Sequence, residues 1–127
     1  MGFMILTNNP LVAERLRDRC VVELVEGTHM ELLKLVRKRA HEGFKLLTHP
    51  LAGSVKPNET PYRSVLLSRT AGQPDAASIS MAEESVLACE KFGKLKFPEM
   101  PQQMREDFQL IDFGLIEGAL PSAEVAQ

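Results

Sequence analysis

Phe3-Met4-Ile5-Leu6 is an unbroken apolar run that gives way at once to Thr7-Asn8-Asn9-Pro10. A strand with one wet face alternates polar and apolar residues. A strand covered on both faces does not, so this run predicts a central strand of a sheet with helices on both sides. Asn9 is a good helix N-cap, and Pro10, with its fixed φ and missing N–H, suits the first helical position. Leu11, Val12 and Leu16 then give a short helix one apolar side. A strand that feeds a helix this directly opens an α/β order.

The same grammar continues. Cys20-Val21-Val22-Glu23-Leu24-Val25 reads as a second strand closed by Glu26-Gly27. Thr28 and Glu31 have capping-box spacing ahead of a helix that would bury Leu32, Leu33, Val36 and Ala40, with Gly43 as its stop. Phe44-Lys45-Leu46-Leu47-Thr48 predicts a third strand and Arg63-Ser64-Val65-Leu66-Leu67-Ser68 a fourth. A helix over 76–92 would bury Ile79, Ala82, Val86 and Cys89. A last helix over 102–117 carries Met104, Phe108, Ile111 and Leu115 on one side, with Leu110, Phe113 and Ile116 widening that face. Such an apolar helix belongs deep in the fold or against a partner subunit, which makes a homodimer through it one expectation. Together these elements predict a three-layer, Rossmann-like α/β domain over 1–118. Its short, mostly parallel four-stranded sheet would have the order 2-1-3-4, with a frayed tail over 119–127.

A chain of 127 residues can bury roughly two thirds of its unfolded surface and needs neither disulfide nor structural metal to fold. Cys20 and Cys89 are far apart and match no metal or redox spacing. In apolar surroundings they read as reduced thiols of a cytoplasmic protein. The formal net charge of -2 gives no electrostatic reason to expect nucleic acid. Arg15, Arg17, Arg19, Lys34, Arg37, Lys38 and Arg39 are interleaved with acids, as on a solvated helix face. No apolar run is long enough to span a membrane, and Asn8-Asn9-Pro10 interrupts the opening apolar segment before it could serve as a signal peptide.

The segment 49–62 stands apart from the rest of the chain. It holds Pro50, Pro57, Pro61 and Gly53 and follows neither helical nor strand period. Loops of this length inside a small domain are often functional. In the expected topology it would lie beside Thr7-Asn8-Asn9, outside the carboxyl ends of the strands where the chain reverses direction, the usual ligand position in open α/β sheets. Thr7, Asn8, Asn9, Thr48, His49 and Asn58 offer hydrogen bonds there. Gly53 and Ser54 would let backbone amides approach an anion, and Lys56 adds a positive charge. The chemistry favours a small anionic ligand such as a carboxylate or phosphate. Each residue also has a purely structural alternative: Asn9 capping a helix, Gly53 making a turn, Lys56 solvating the loop.

His49 could act as an acid, a base or a ligand donor, or could only brace the loop. It is the one candidate for a catalytic role. His29 and His41 lack paired metal-ligand spacing and read as surface residues. No zinc pattern, Walker motif, dinucleotide fingerprint or nucleophile elbow occurs, and neither a cofactor nor a metal is expected. A serine–histidine pair of Ser54 or Ser64 with His49 has no acid placed to orient it. Nothing in the residues themselves names a reaction.

Three stretches carry a family resemblance: Met4-Ile5-Leu6-Thr7-Asn8-Asn9-Pro10-Leu11-Val12, the long segment from Lys45 through Thr48-His49-Pro50 and Lys56-Pro57-Asn58 to Tyr62, and Asp107-Phe108-Gln109-Leu110-Ile111-Asp112. The chain resembles the GrdX family, small proteins encoded with the glycine, sarcosine and betaine reductase systems of anaerobic amino-acid-fermenting bacteria. The resemblance implies an accessory role, a bacterial cytoplasmic setting and reductase-system proteins as partners. It brings no catalytic residues with it.

Overall fold

The computed structural model describes residues 2–51 and 56–126, with the helical backbone alone over 121–126. Three strands, β1 (Phe3–Thr7), β2 (Val21–Leu24) and β3 (Ser64–Ser68), are joined by α1 (Pro10–Leu16), α2 (His29–His41), α3 (Ala76–Phe92) and α4 (Gln102–Ala126). β1 is central. It pairs in parallel with β2, Met4 opposite Val21, and antiparallel with β3, Ile5 opposite Leu66.

All five residues of β1 are buried, as its unbroken apolar run requires. Alternate side chains divide between two cores. Met4 and Leu6 join Val65, Leu67, Leu32, Val36, Ala40 and Ala82 under α2 and α3. Phe3 and Ile5 join Leu66, Val12, Leu16, Ile116 and Leu120 under α1 and α4. Helices therefore cover both faces, and the α/β class holds.

The sheet differs from the expected one. It has three strands in the mixed order β2-β1-β3, not four mostly parallel strands in the order 2-1-3-4. Two physical causes account for this. A parallel return needs a crossover of a dozen or more residues, normally a helix. The chain between residue 48 and β3 contains no described helix, and β3 comes back antiparallel, inserted directly beside β1. The segment 44–48 is left on the far side of β3 and keeps only the bridge Leu46–Leu67. Hydroxyl groups take much of its ladder. Lys45 N donates to Ser68 Oγ, Leu46 N to Ser78 Oγ, and Thr48 Oγ1 accepts from Leu66 N.

The helix ends follow the expected chemistry. Asn9 Oδ1 caps α1 through Leu11 N, and Thr28 Oγ1 caps α2 through Glu31 N. Gly43 has φ 104°, and an added Cβ there would collide with the carbonyl oxygen of Gly72. α4 runs past the expected end at residue 117 to Ala126, because Leu120 is buried in the α1–α4 core. Cys89 is buried, Cys20 is half-buried, and neither is in a disulfide.

Candidate functional site

The carboxyl ends of β1 and β2 and the start of β3 lie along one edge of the sheet, as the parallel and antiparallel registers require. Asn8 organises that edge. Its Nδ2 donates to Gly27 O at 3.1 Å and Pro61 O at 2.8 Å, while its Oδ1 accepts from Arg63 N at 2.8 Å. One buried amide thus ties the end of β1 to the loops that follow β2 and precede β3.

Beside it runs a buried polar chain. Asn9 N donates to Thr7 Oγ1 at 2.9 Å, and Thr7 Oγ1 lies 2.6 Å from Ser64 Oγ. Ser64 Oγ donates to Asp112 Oδ2 at 2.7 Å, and Asn9 Nδ2 donates to the same oxygen at 3.0 Å. Burial pushes the Asp112 carboxyl above its ordinary range, against the pull of Ser64, Asn9 and the Arg63 charge. Arg63 is itself buried, and the loss of water lowers its guanidinium from its usual value although Asp112 counteracts this. The network sews α4 to the sheet and uses the polar atoms of Thr7 and Asn9 within the fold.

The open space at this edge is a cleft of about 480 Å³. One wall is the start of α2, Gly27 to Met30. Another is the end of the proline-rich loop, with Pro57, Thr60, Pro61 and Tyr62. The third is the connection after α3, with Gly93, Lys94 and Leu95, backed by Cys89 and Arg105. Lys96 N donates to Asn58 O at 2.6 Å, which joins the second and third walls. The floor is largely apolar. Lys94 and Arg105 supply positive charge, and no carboxylate lines the cleft among the described residues. The first turn of α2 brings the positive end of its dipole, partly offset there because Thr28 Oγ1 accepts from Glu31 N and the Glu31 carboxylate packs beside Gly27 and Thr28.

His29 is the main departure from the sequence reading. It was expected on the surface, and it is only 6% exposed. Its Nδ1 lies 3.3 Å from Thr60 O, its Nε2 is fully buried without a partner among the described residues, and the residue borders the cleft. Burial, reinforced by the Arg63 charge, lowers its pKa from 6.5 to about 4, so the imidazole is neutral at physiological pH. A position at the start of a helix, immediately after a strand's carboxyl end, was the available signal for it. Asp112 had a different signal, being an acid set between Ile111 and Phe113 on an otherwise apolar helix face. His41 is exposed, with Nε2 3.2 Å from Glu83 Oε1.

The expected site residues separate into three groups. Lys56 and Asn58 stand on the loop that forms the cleft's second wall. Lys56 is exposed, with Nζ 5.8 Å from the Phe92 ring centre, and Asn58 is half-buried. Thr7, Asn8 and Asn9 lie beneath the edge in the bonded networks described above. Thr48 and His49 flank a separate hollow of about 80 Å³ together with Arg63, Ser64 and Asp112. His49 is exposed, and its Nδ1 accepts from Leu51 N at 3.1 Å, bracing the start of the loop. Gly53 and Ser54 lie outside the described residues.

Among the described residues no helix is long and apolar enough to cross a membrane, and no cluster of three or more metal-ligating side chains occurs. No curated protein and no solved structure matches the chain. The family model described as GrdX-like protein does match, over residues 4–121, and so takes in β1 from Met4, the proline-rich loop, the cleft and α4 through Pro121. The chain therefore belongs to the GrdX-like family.

Proposed function

We propose that this GrdX-like protein is a cytoplasmic accessory component of an amino-acid reductase system that binds a small anionic ligand in the cleft at the carboxyl edge of its sheet. The supporting observation is the cleft's charge. Lys94, Arg105 and the start of α2 border one space of ligand size whose lining holds no carboxylate residue among the described residues, although the Glu31 carboxylate packs beside Gly27 and Thr28 at the same helix start. The apolar side chains of Pro57, Pro61 and Leu95 in the walls would exclude water from the ligand's body and strengthen its interaction with the cationic rim. The role is binding, and the reading assigns no reaction to the chain.

A thermal-shift screen with glycine, sarcosine, betaine, acetyl phosphate and nucleotides tests it. The expected result is stabilisation by one or more acids, weakened by salt and by Lys94→Ala with Arg105→Ala. No shift with any of them, in protein shown to be folded, overturns the reading.

A second reading has its own observation. Leu110, Ile111 and Leu115 on α4 are 50%, 46% and 42% exposed. As an interaction module, the chain would dock this face onto itself or onto a reductase-system protein. Light scattering after size exclusion distinguishes the two: a monomer that stays monomeric at high concentration and co-purifies with no partner removes the second reading.

A further inference from the structure

We propose that α4 pairs with its own copy in an antiparallel homodimer, Ile111 of each chain seating against the partner's Gly114. This rests on the interaction-module reading above and commits it to one partner, a second copy of this chain.

The face is set by helical spacing. Asp107, Ile111, Gly114 and Gly118 recur at intervals of four, three and four residues and so form one seam along α4. Leu110 and Leu115 flank it, and these two and Ile111 are the exposed apolar side chains of the helix. Asp112, Ile116 and Leu120 are buried on its other side. Glycines inside a helix cost it stability against alanine, and packing within the chain does not call for these two: a Cβ at either would meet nothing within 4 Å. They leave a notch on the exposed seam. The distance between packed helices is set by the side chains at the contact, so a second helix can come close there.

The charges supply both the partner and the direction. At one end of the seam Glu106 and Asp107 are exposed and accept from Gln102 and Gln103 one turn back, and neither is in an ion pair among the described residues. Towards the other end α1 lays two bases along α4. Arg15 stands over the Phe113 ring, 5.1 Å from its centre, and Arg19 lies 4.0 Å from Glu117. Antiparallel pairing with Ile111 at the partner's Gly114 sets Asp107 level with the partner's Gly118 and Glu106 one residue beyond, beside the partner's Arg19. Parallel pairing would set acids on acids and arginines on arginines. The face is complementary to itself in one direction only, which is what a two-fold interface requires.

Sedimentation and light scattering on the full chain test this. The wild type should be a reversible dimer. Gly114→Gln fills the notch with a good helix former where the monomer has open space, and it should weaken the dimer about 10-fold or more. Glu106→Arg with Asp107→Arg in one protein, and Arg19→Glu in another, should each weaken it about 3- to 10-fold. Mixed in equal amounts, those two proteins should form a heterodimer tighter than either self-dimer, and high salt should remove the gain. That rescue also shows both variants to be folded. A dimer indifferent to Gly114→Gln overturns the inference, as does one that gains nothing when the charge variants are mixed. A wild type that stays monomeric at high concentration overturns it too. If that monomer co-purifies with a reductase-system protein and Gly114→Gln abolishes the association, the interaction-module reading stands; with no partner, both fall together.

Discussion

Acidification should cost this protein stability through His29, by an amount that follows from its burial. The imidazole titrates at 6.5 in the unfolded chain and at about 4 in the fold, chiefly because burial removes water from the charged form and secondarily because Arg63 repels it. The unfolded state therefore binds the proton more tightly. The contribution is fully present above about pH 6.5, is lost as the pH falls from there towards 4, and levels off below. Between pH 7 and pH 5 the loss comes to about 2 kcal/mol, and the whole shift is equivalent to about 3 kcal/mol. Urea unfolding at pH 7, 6 and 5 measures it, with His29→Asn as the reference that lacks this titration. Other groups titrate in both proteins, so the quantity that matters is the difference between their stabilities. It should move against the wild type by about 2 kcal/mol across that interval, with unchanged m-values. A difference constant to within about 0.5 kcal/mol would refute the argument, because it would mean that the ring is hydrated or differently bonded in the fold.

Other perturbations address the framework that carries the cleft. Asn8→Ala removes two donors and one acceptor from the junction of Gly27, Pro61 and Arg63; a loss of about 2–4 kcal/mol in urea unfolding is expected, and ligand affinity should fall with it. Gly43→Ala places a Cβ against Gly72 O at a φ of 104° and should lower stability by about 1–3 kcal/mol, measured the same way. Leu66→Ala empties a fully buried position under α1 and α4, with an expected cost of about 2–5 kcal/mol. Asp112 holds its proton more tightly in the fold than in the unfolded chain. Its contribution should therefore fall as the pH rises from the ordinary carboxylate range through its raised value, and Asp112→Asn should gain on the wild type over that interval in parallel unfolding series. A flat difference would show that the hydrogen bonds from Ser64 and Asn9 offset the burial.

Local chemistry was legible along the chain. The apolar run at Phe3 to Leu6 required a strand covered on both faces, and Asn9 with Pro10 and Thr28 with Glu31 marked the starts of two helices; each of these signals acts within a few residues. The family resemblance was legible for the same reason, since it rests on contiguous segments. The pairing of strands was not. Whether the segment at Ser64 to Ser68 returned parallel or antiparallel depended on how the proline-rich loop closed, and the hydroxyls of Ser68, Ser78 and Thr48 then reduced the segment at 44–48 to a single bridge. The candidate site shows the same division. The expectation of a site at the carboxyl edge rested on a parallel 2-1-3-4 order that the sheet does not have, and the cleft found at that edge is lined by elements far apart in the chain. Thr7, Asn8 and Asn9 have polar groups suited to a ligand, and only their neighbours at Ser64, Arg63, Gly27 and Asp112 decided that those groups would bind the fold. The one sequence mark of His29, its place at the start of a helix after a strand's carboxyl end, does not by itself separate it from a surface histidine. Its burial depends on Thr60 and Arg63, more than thirty residues away, closing over it, and long-range packing of this kind sets both its charge and its place in the cleft.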